Sequence, residues 1–103
     1  MRPIPGPTSP FETPAARAPQ GEGGFIVPAA GFLPALSKWS TDNGVVFIAD
    51  EIQCGMGRSG KFFAYEHYTV KPDIITISKA LSGGLVPVAA MLTTDEIYLS
   101  VYS

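Results

Sequence analysis

VVFIAD, residues Val45 to Asp50, and DIITISK, residues Asp73 to Lys79, decide the fold. Each run is almost wholly apolar and β-branched, the pattern of a parallel strand covered on both faces. Each ends in an ionisable residue, a carboxylate in the first and an amine in the second. Open α/β sheets bind their ligands at the carboxyl ends of strands. A buried carboxylate and a buried amine are costly there unless they pair or act on something. On these two positions alone, two ordinary surface charges just past two strands would read the same way.

The flanks support an α/β unit. Phe32, Leu33, Leu36 and Trp39 form an apolar stripe at helical spacing, and Pro34 is tolerable in a first turn. Asn43-Gly44 is a helix stop, and the strand over Val45 to Ala49 follows at once. Gln53 to Gly60 is a glycine-rich loop, and Phe62 to Tyr68 forms either a short helix or an irregular aromatic patch. Residues 50 to 72 are long enough for the crossover that parallel strands require. The link from Ala80 to Val86 is too short for one, so the apolar run Pro87 to Thr93 should pair antiparallel with the second strand. Asp95 is then placed to cap a helix over EIYLSVYS. Two strands of the doubly covered type and one convincing helix are too little for an independent domain, so the chain reads as part of a larger α/β body.

Composition narrows the function. The first 19 residues hold Pro3, Pro5, Pro7, Pro10, Pro14 and Pro19 without apolar periodicity, which predicts a disordered or loosely extended stretch. That stretch lacks a signal peptide's basic start and apolar core, and no segment reaches the roughly 18 apolar residues of a membrane span. The expectation is a soluble, cytoplasmic protein without a membrane partner. A net charge of −2 with seven basic residues offers no basic stripe for nucleic acid. Cys54 is the single cysteine, which excludes an internal disulfide. Its one candidate histidine partner for nucleophilic chemistry is His67, and the neighbouring glycines favour a small loop residue instead. No metal ligand set is assigned.

Gly55, Gly57 and Gly60 spell G-x-G-x-x-G, with Asp73 at a superficially suitable distance for a dinucleotide fingerprint. The context is wrong. Those glycines should turn the chain directly from strand to helix, yet Glu51, Ile52, Gln53 and Cys54 intervene and Asp73 begins a strand. Glycines that let a loop turn tightly or pack closely explain the pattern better.

Three blocks carry a family resemblance: QGEGGFIVPAAGFLPAL (Gln20 to Leu36), FIADEIQCGMGRSGKFFAYEH (Phe47 to His67) and PDIITISKALSGGLVPVAAMLT (Pro72 to Thr93). Together they resemble the class III pyridoxal-phosphate aminotransferases, which include 4-aminobutyrate, ornithine and acetylornithine transaminases. The resemblance runs from Gln20 to the C-terminus and implies part of the large cofactor-binding domain of fold-type I enzymes, a mixed, mostly parallel sheet with helices. Residues 1–19 match nothing in the family: where its pattern has a glutamate before the Gln-Gly-Glu-Gly-Gly block, this chain has Arg17.

What the resemblance implies is specific. Asp50 matches the aspartate that pairs with the ring nitrogen of pyridoxal 5'-phosphate, keeping the ring protonated as an electron sink. Lys79 matches the Schiff-base lysine, which later carries a proton between substrate and cofactor carbons. Gln53 matches the residue bonded to the phenolic oxygen, and Ile52 the apolar residue packed on one ring face. Glu22 matches a glutamate that in several members pairs with a substrate-binding arginine. His67 and Arg58 are read as structural. The implied activity moves an amino group from an ω-amino or basic amino acid to a 2-oxo acid, in a homodimer with sites at the subunit interface. GGLVPV is nearer the ornithine-type members and GEGGFIVP nearer the 4-aminobutyrate type, so the donor stays open. The family's phosphate-holding turn, ring-stacking aromatic, partner-subunit threonine and substrate arginine have no counterpart in these 103 residues. A catalytically inactive truncated piece of such an enzyme is therefore the alternative, with a nucleotide module on GMGRSG third.

Overall fold

The computed structural model describes residues 26–102. The expectations for Glu22 and for residues 1–19 lie outside that range. The chain runs through helix α1 (Phe32–Asp42), strand β1 (Ile48–Asp50), a 3₁₀ helix (Ala64–Tyr68), strand β2 (Ile74–Ile77), a second 3₁₀ helix (Lys79–Ser82), strand β3 (Ala90–Thr93) and helix α2 (Asp95–Tyr102). The sheet order is β1-β2-β3, with β1 parallel to β2 and β3 antiparallel to it. This mixed sheet follows from link length: residues 51–73 have room to cross over, whereas residues 78–89 can only double back.

The helical stripe and the stop at Asn43-Gly44 behave as the sequence predicts. Asn43 donates its backbone N–H to Trp39 O at 3.1 Å, and Gly44 takes φ +64°, a conformation that favours glycine. Val45 does not enter the ladder, contrary to the expectation of a strand from Val45. Its N–H goes back to Ser40 O at 2.8 Å, closing the end of α1. Phe47 donates to Asp73 Oδ2 at 2.7 Å, while Asp73 returns its own N–H to Phe47 O at 2.8 Å. A side chain thus stands in for a ladder partner where β2 has not yet begun. Asp73, the decoy acid of the nucleotide reading, ties the two strand entrances together.

The strands are not buried on both faces. Ile48 is 47% exposed, Met91 57% and Leu92 43%, and Ile77, at 6%, is the one aliphatic or aromatic residue among those described that is buried. The pattern of doubly covered strands is present in the sequence, but the described residues supply too few helices to cover them. The cap of α2 also differs from expectation. Thr94, not Asp95, accepts from the Ile97 N–H at 3.4 Å through its Oγ1, and Tyr98 N–H bonds Thr94 O at 3.0 Å. Asp95 is already inside the first turn, where its charge complements the helix N-terminus.

No helix among the described residues is long and apolar enough to cross a membrane.

Candidate active site

Asp50 closes β1 and Lys79 follows the end of β2, so both stand at the carboxyl ends of adjacent parallel strands. The backbone at Lys79 adopts φ +38°, a left-handed conformation that a lysine rarely takes. Sparsely populated backbone of this kind costs on the order of 1–3 kcal/mol and persists where surrounding structure imposes it. Here the strand ladder precedes it, and the following turn is pinned by Leu81 N–H to Ser78 O at 2.9 Å and Ser78 Oγ to Val88 O at 2.6 Å.

Two of the expected residues are in contact, and a third stands at the end of the adjacent strand. Lys79 Nζ donates to Gln53 Oε1. That uses the acceptor end of the amide, and among the described residues no hydrogen bond occupies its Nε2 donor end. Asp50 Oδ1 accepts from Ile52 N at 3.1 Å and from Thr76 Oγ1 at 3.0 Å. Ile52, half-buried, leads the chain from Asp50 to Gln53 and gives the carboxylate its backbone donor. Asp50, Gln53 and Lys79 are all exposed, so the costly burial expected of the carboxylate and amine is not seen. The cavity lined by Pro34, Lys38, Thr69, Lys71, Asp73 and Thr94 lies at the other end of the sheet, where β2 begins and β3 ends.

One central residue has no role assigned by the sequence pattern. Glu51 is 3% exposed, and its carboxylate accepts from Tyr65 N at 2.9 Å, Ala64 N at 3.0 Å and the Cys54 thiol at 3.2 Å. The first N–H groups of a helix have no partner inside it, and Glu51 supplies one for the 3₁₀ helix from a dozen residues away. Its own N–H bonds Thr76 O at 2.9 Å, continuing the β1–β2 ladder. One residue thereby fastens the far end of the loop to the strand end that carries Asp50. The signal available in sequence was an acidic residue wedged directly behind a strand and followed by apolar Ile52; the separation from Ala64 hid its partner.

Cys54 is held by the same carboxylate. Burial first, then the hydrogen bond to Glu51 and its charge, push the thiol from 9.0 up to about 12. A thiol held protonated in this way is a poor nucleophile, in line with the loop reading. Among the described residues His67 makes no hydrogen bond to it, and bonds Ser59 O at 2.9 Å instead. The glycine loop is a turn, as expected. Gly57 and Gly60 adopt φ +90° and +91°, Gly57 N–H bonds Phe62 O at 3.1 Å, and no helix opens at Gly60.

The donor set can be tested against the cofactor the resemblance implies. A protonated ring nitrogen needs an anionic acceptor, an aldehyde needs a primary amine, and a phenolic oxygen is served by a neutral N–H donor. Asp50, Lys79 and Gln53 Nε2 are those three groups, on two neighbouring strand ends. The residues present fit the group.

Comparison with known proteins gives one family. The family described as Aminotransferase class-III matches residues 17–103. Among solved structures, an ornithine aminotransferase from Plasmodium yoelii is 48% identical with a TM-score of 0.75, over 78% of this chain and 21% of that one. An acetylornithine aminotransferase from Elizabethkingia anophelis is 48% identical at TM-score 0.74, over 77% and 21%. An S-selective transaminase from an Arthrobacter species is 39% identical at TM-score 0.71, over 75% and 17%. The chain spans about a fifth of the length of these structures.

Proposed function

Because the chain belongs to the class III aminotransferases, we propose that it carries the cofactor-binding centre of a pyridoxal-phosphate transaminase acting on a basic or ω-amino acid and a 2-oxo acid. The observation that carries this reading is the grouping of Asp50, Gln53 and Lys79 at adjacent strand ends, with Lys79 Nζ already engaged by Gln53. Identities of 48% to an ornithine and an acetylornithine aminotransferase favour a basic donor over 4-aminobutyrate. Apolar residues left exposed on the sheet and on α2, such as Met91, Leu92 and Leu99, support a larger assembly, a homodimer in the complete protein.

Bound pyridoxal phosphate supplies an electron sink for the pair of electrons left when a substrate C–H bond breaks. The chain's own residues do the rest. Asp50 would accept a hydrogen bond from the ring N–H and stabilise its positive charge. Gln53 Nε2 donates to the phenolic oxygen without adding charge, while Gln53 Oε1 orients the Lys79 amine. Lys79 supplies the primary amine that would hold the cofactor's aldehyde, and as a free amine it would take and return a proton. Ile52 offers the ring an apolar contact.

Labelling tests the reading. The chain is incubated with pyridoxal phosphate and then treated with borohydride, whose hydride adds to the imine carbon while water protonates the nitrogen, leaving a stable amine. Peptide mapping should place the label on Lys79 ahead of Lys38, Lys61 and Lys71. An even spread over the four lysines would overturn it. The exposure of Asp50, Gln53 and Lys79 favours a second reading, in which the chain alone binds the cofactor but does not turn over.

A further inference from the structure

Asp50 is held from one side only. Both of its hydrogen bonds, from Ile52 N at 3.1 Å and Thr76 Oγ1 at 3.0 Å, fall on Oδ1. Among the described residues none reaches Oδ2. A carboxylate on an exposed strand end has a broad terminal torsion, so its plane would otherwise swing. Two donors converging on one oxygen from different directions stop that motion.

The second donor is there because of the strand register. Asp50 and Thr76 are paired across the parallel β1–β2 ladder, which brings their side chains to the same face of the sheet. Thr76 is further fixed by its carbonyl, which accepts from Glu51 N at 2.9 Å. A β-branched side chain has a stiff χ1, so its hydroxyl is held where the backbone puts it. Strand propensity alone would be served as well or better by valine or isoleucine, which flank the position as Ile74, Ile75 and Ile77. What threonine adds is the hydroxyl.

We propose that Thr76 is a positioning residue for cofactor recognition: its hydroxyl locks Asp50 by Oδ1 so that Oδ2 is free and oriented for the ring N–H. The inference rests on the function proposed above, since it needs Asp50 to meet the ring nitrogen. Its physical content is preorganisation. A carboxylate already fixed loses less freedom on binding, and it discriminates better between a ligand with a ring N–H and one without.

The test compares two ligands: pyridoxal phosphate, and its analogue with carbon in place of the ring nitrogen. For each, the concentration giving half-maximal borohydride-trapped label at Lys79 is measured with the full chain. The wild-type chain should prefer pyridoxal phosphate by roughly tenfold, the scale of one hydrogen bond to a charged group. Thr76→Val should remove most of that preference while leaving the analogue's value unchanged, and Thr76→Ser should restore it. A Thr76→Val chain that keeps the preference, or that weakens for both ligands alike, would overturn the inference while label at Lys79 left the proposed function standing. Absence of label at Lys79 in the wild-type chain would overturn both. Circular dichroism of each variant before labelling separates loss of fold from loss of recognition.

Discussion

Glu51 and Cys54 show how one buried carboxylate can organise a site without touching substrate. Its oxygens accept from Ala64 N, Tyr65 N and the Cys54 thiol. Because burial and Glu51 raise the thiol to about 12, the neutral form persists well above the ordinary range. The sign follows: the unfolded chain ionises at about 9 and the folded chain only at about 12, so stability from the held thiol is full below pH 9 and is lost as pH climbs between those values. Thiolate is the reactive form, so iodoacetamide at pH 8 should modify folded Cys54 roughly one to three orders of magnitude more slowly than the unfolded chain. Glu51→Gln removes the charge but not the burial. It should raise the folded rate part of the way, and a rate unchanged by that substitution would show that burial alone protects the thiol.

At the scale of elements, a short helix is only as good as its end. α2 spans Asp95–Tyr102, and the Ile97 N–H finds Thr94 Oγ1. Replacing a side-chain cap by alanine costs about 1 kcal/mol, whereas a first-turn acid contributes a few tenths through the helix dipole. Thr94→Ala should therefore speed hydrogen exchange at Ile97 and Tyr98 several-fold, and Asp95→Ala much less; the opposite order would restore Asp95 as the cap. Gly55 is constrained differently. A methyl group there would sit 2.7 Å from Glu51 O and 3.0 Å from Glu51 Cβ. Gly55→Ala should lower the denaturation midpoint by the equivalent of about 1–3 kcal/mol, the usual scale for forced overpacking. These elements also mark what could be read in the sequence. α1, the loop, both parallel strands and the antiparallel return were legible because periodicity, glycine pairs and link length are local signals. The strand start at Ile48, the Thr94 cap and the Glu51 clamp were not, because each depends on a partner chosen by the fold: Asp73 for Phe47, Thr94 for Ile97, and Ala64 for Glu51. Within the candidate site, Asp50, Gln53 and Lys79 are assigned by resemblance, and the structure adds their placement at adjacent strand ends. Thr76 was not legible, because its hydroxyl matters only through the register that sets it beside Asp50.

At the scale of the whole molecule, the question is how far the proposed cofactor centre could work without walls. Asp50, Gln53 and Lys79 are all exposed, and large apolar side chains on the sheet and α2 face solvent. Charges and dipoles in such a setting are screened by water, and a substrate would meet the cofactor in many orientations. Holding reactants in line contributes roughly 7–11 kcal/mol of the barrier in well-oriented reactions, and little among the described residues could hold a substrate. The 103-residue chain alone should therefore show no transaminase turnover even if Lys79 takes the borohydride label. Purified chain would be mixed with pyridoxal phosphate, ornithine and 2-oxoglutarate, and glutamate followed against the free cofactor. Glutamate formed above that background and abolished by Lys79→Ala would mean that the chain builds a working site, most simply by pairing its exposed apolar surface with a second copy. Sedimentation of the same sample would decide that, and turnover per chain carried by a dimer must fall as the chain is diluted below the dimer's dissociation constant.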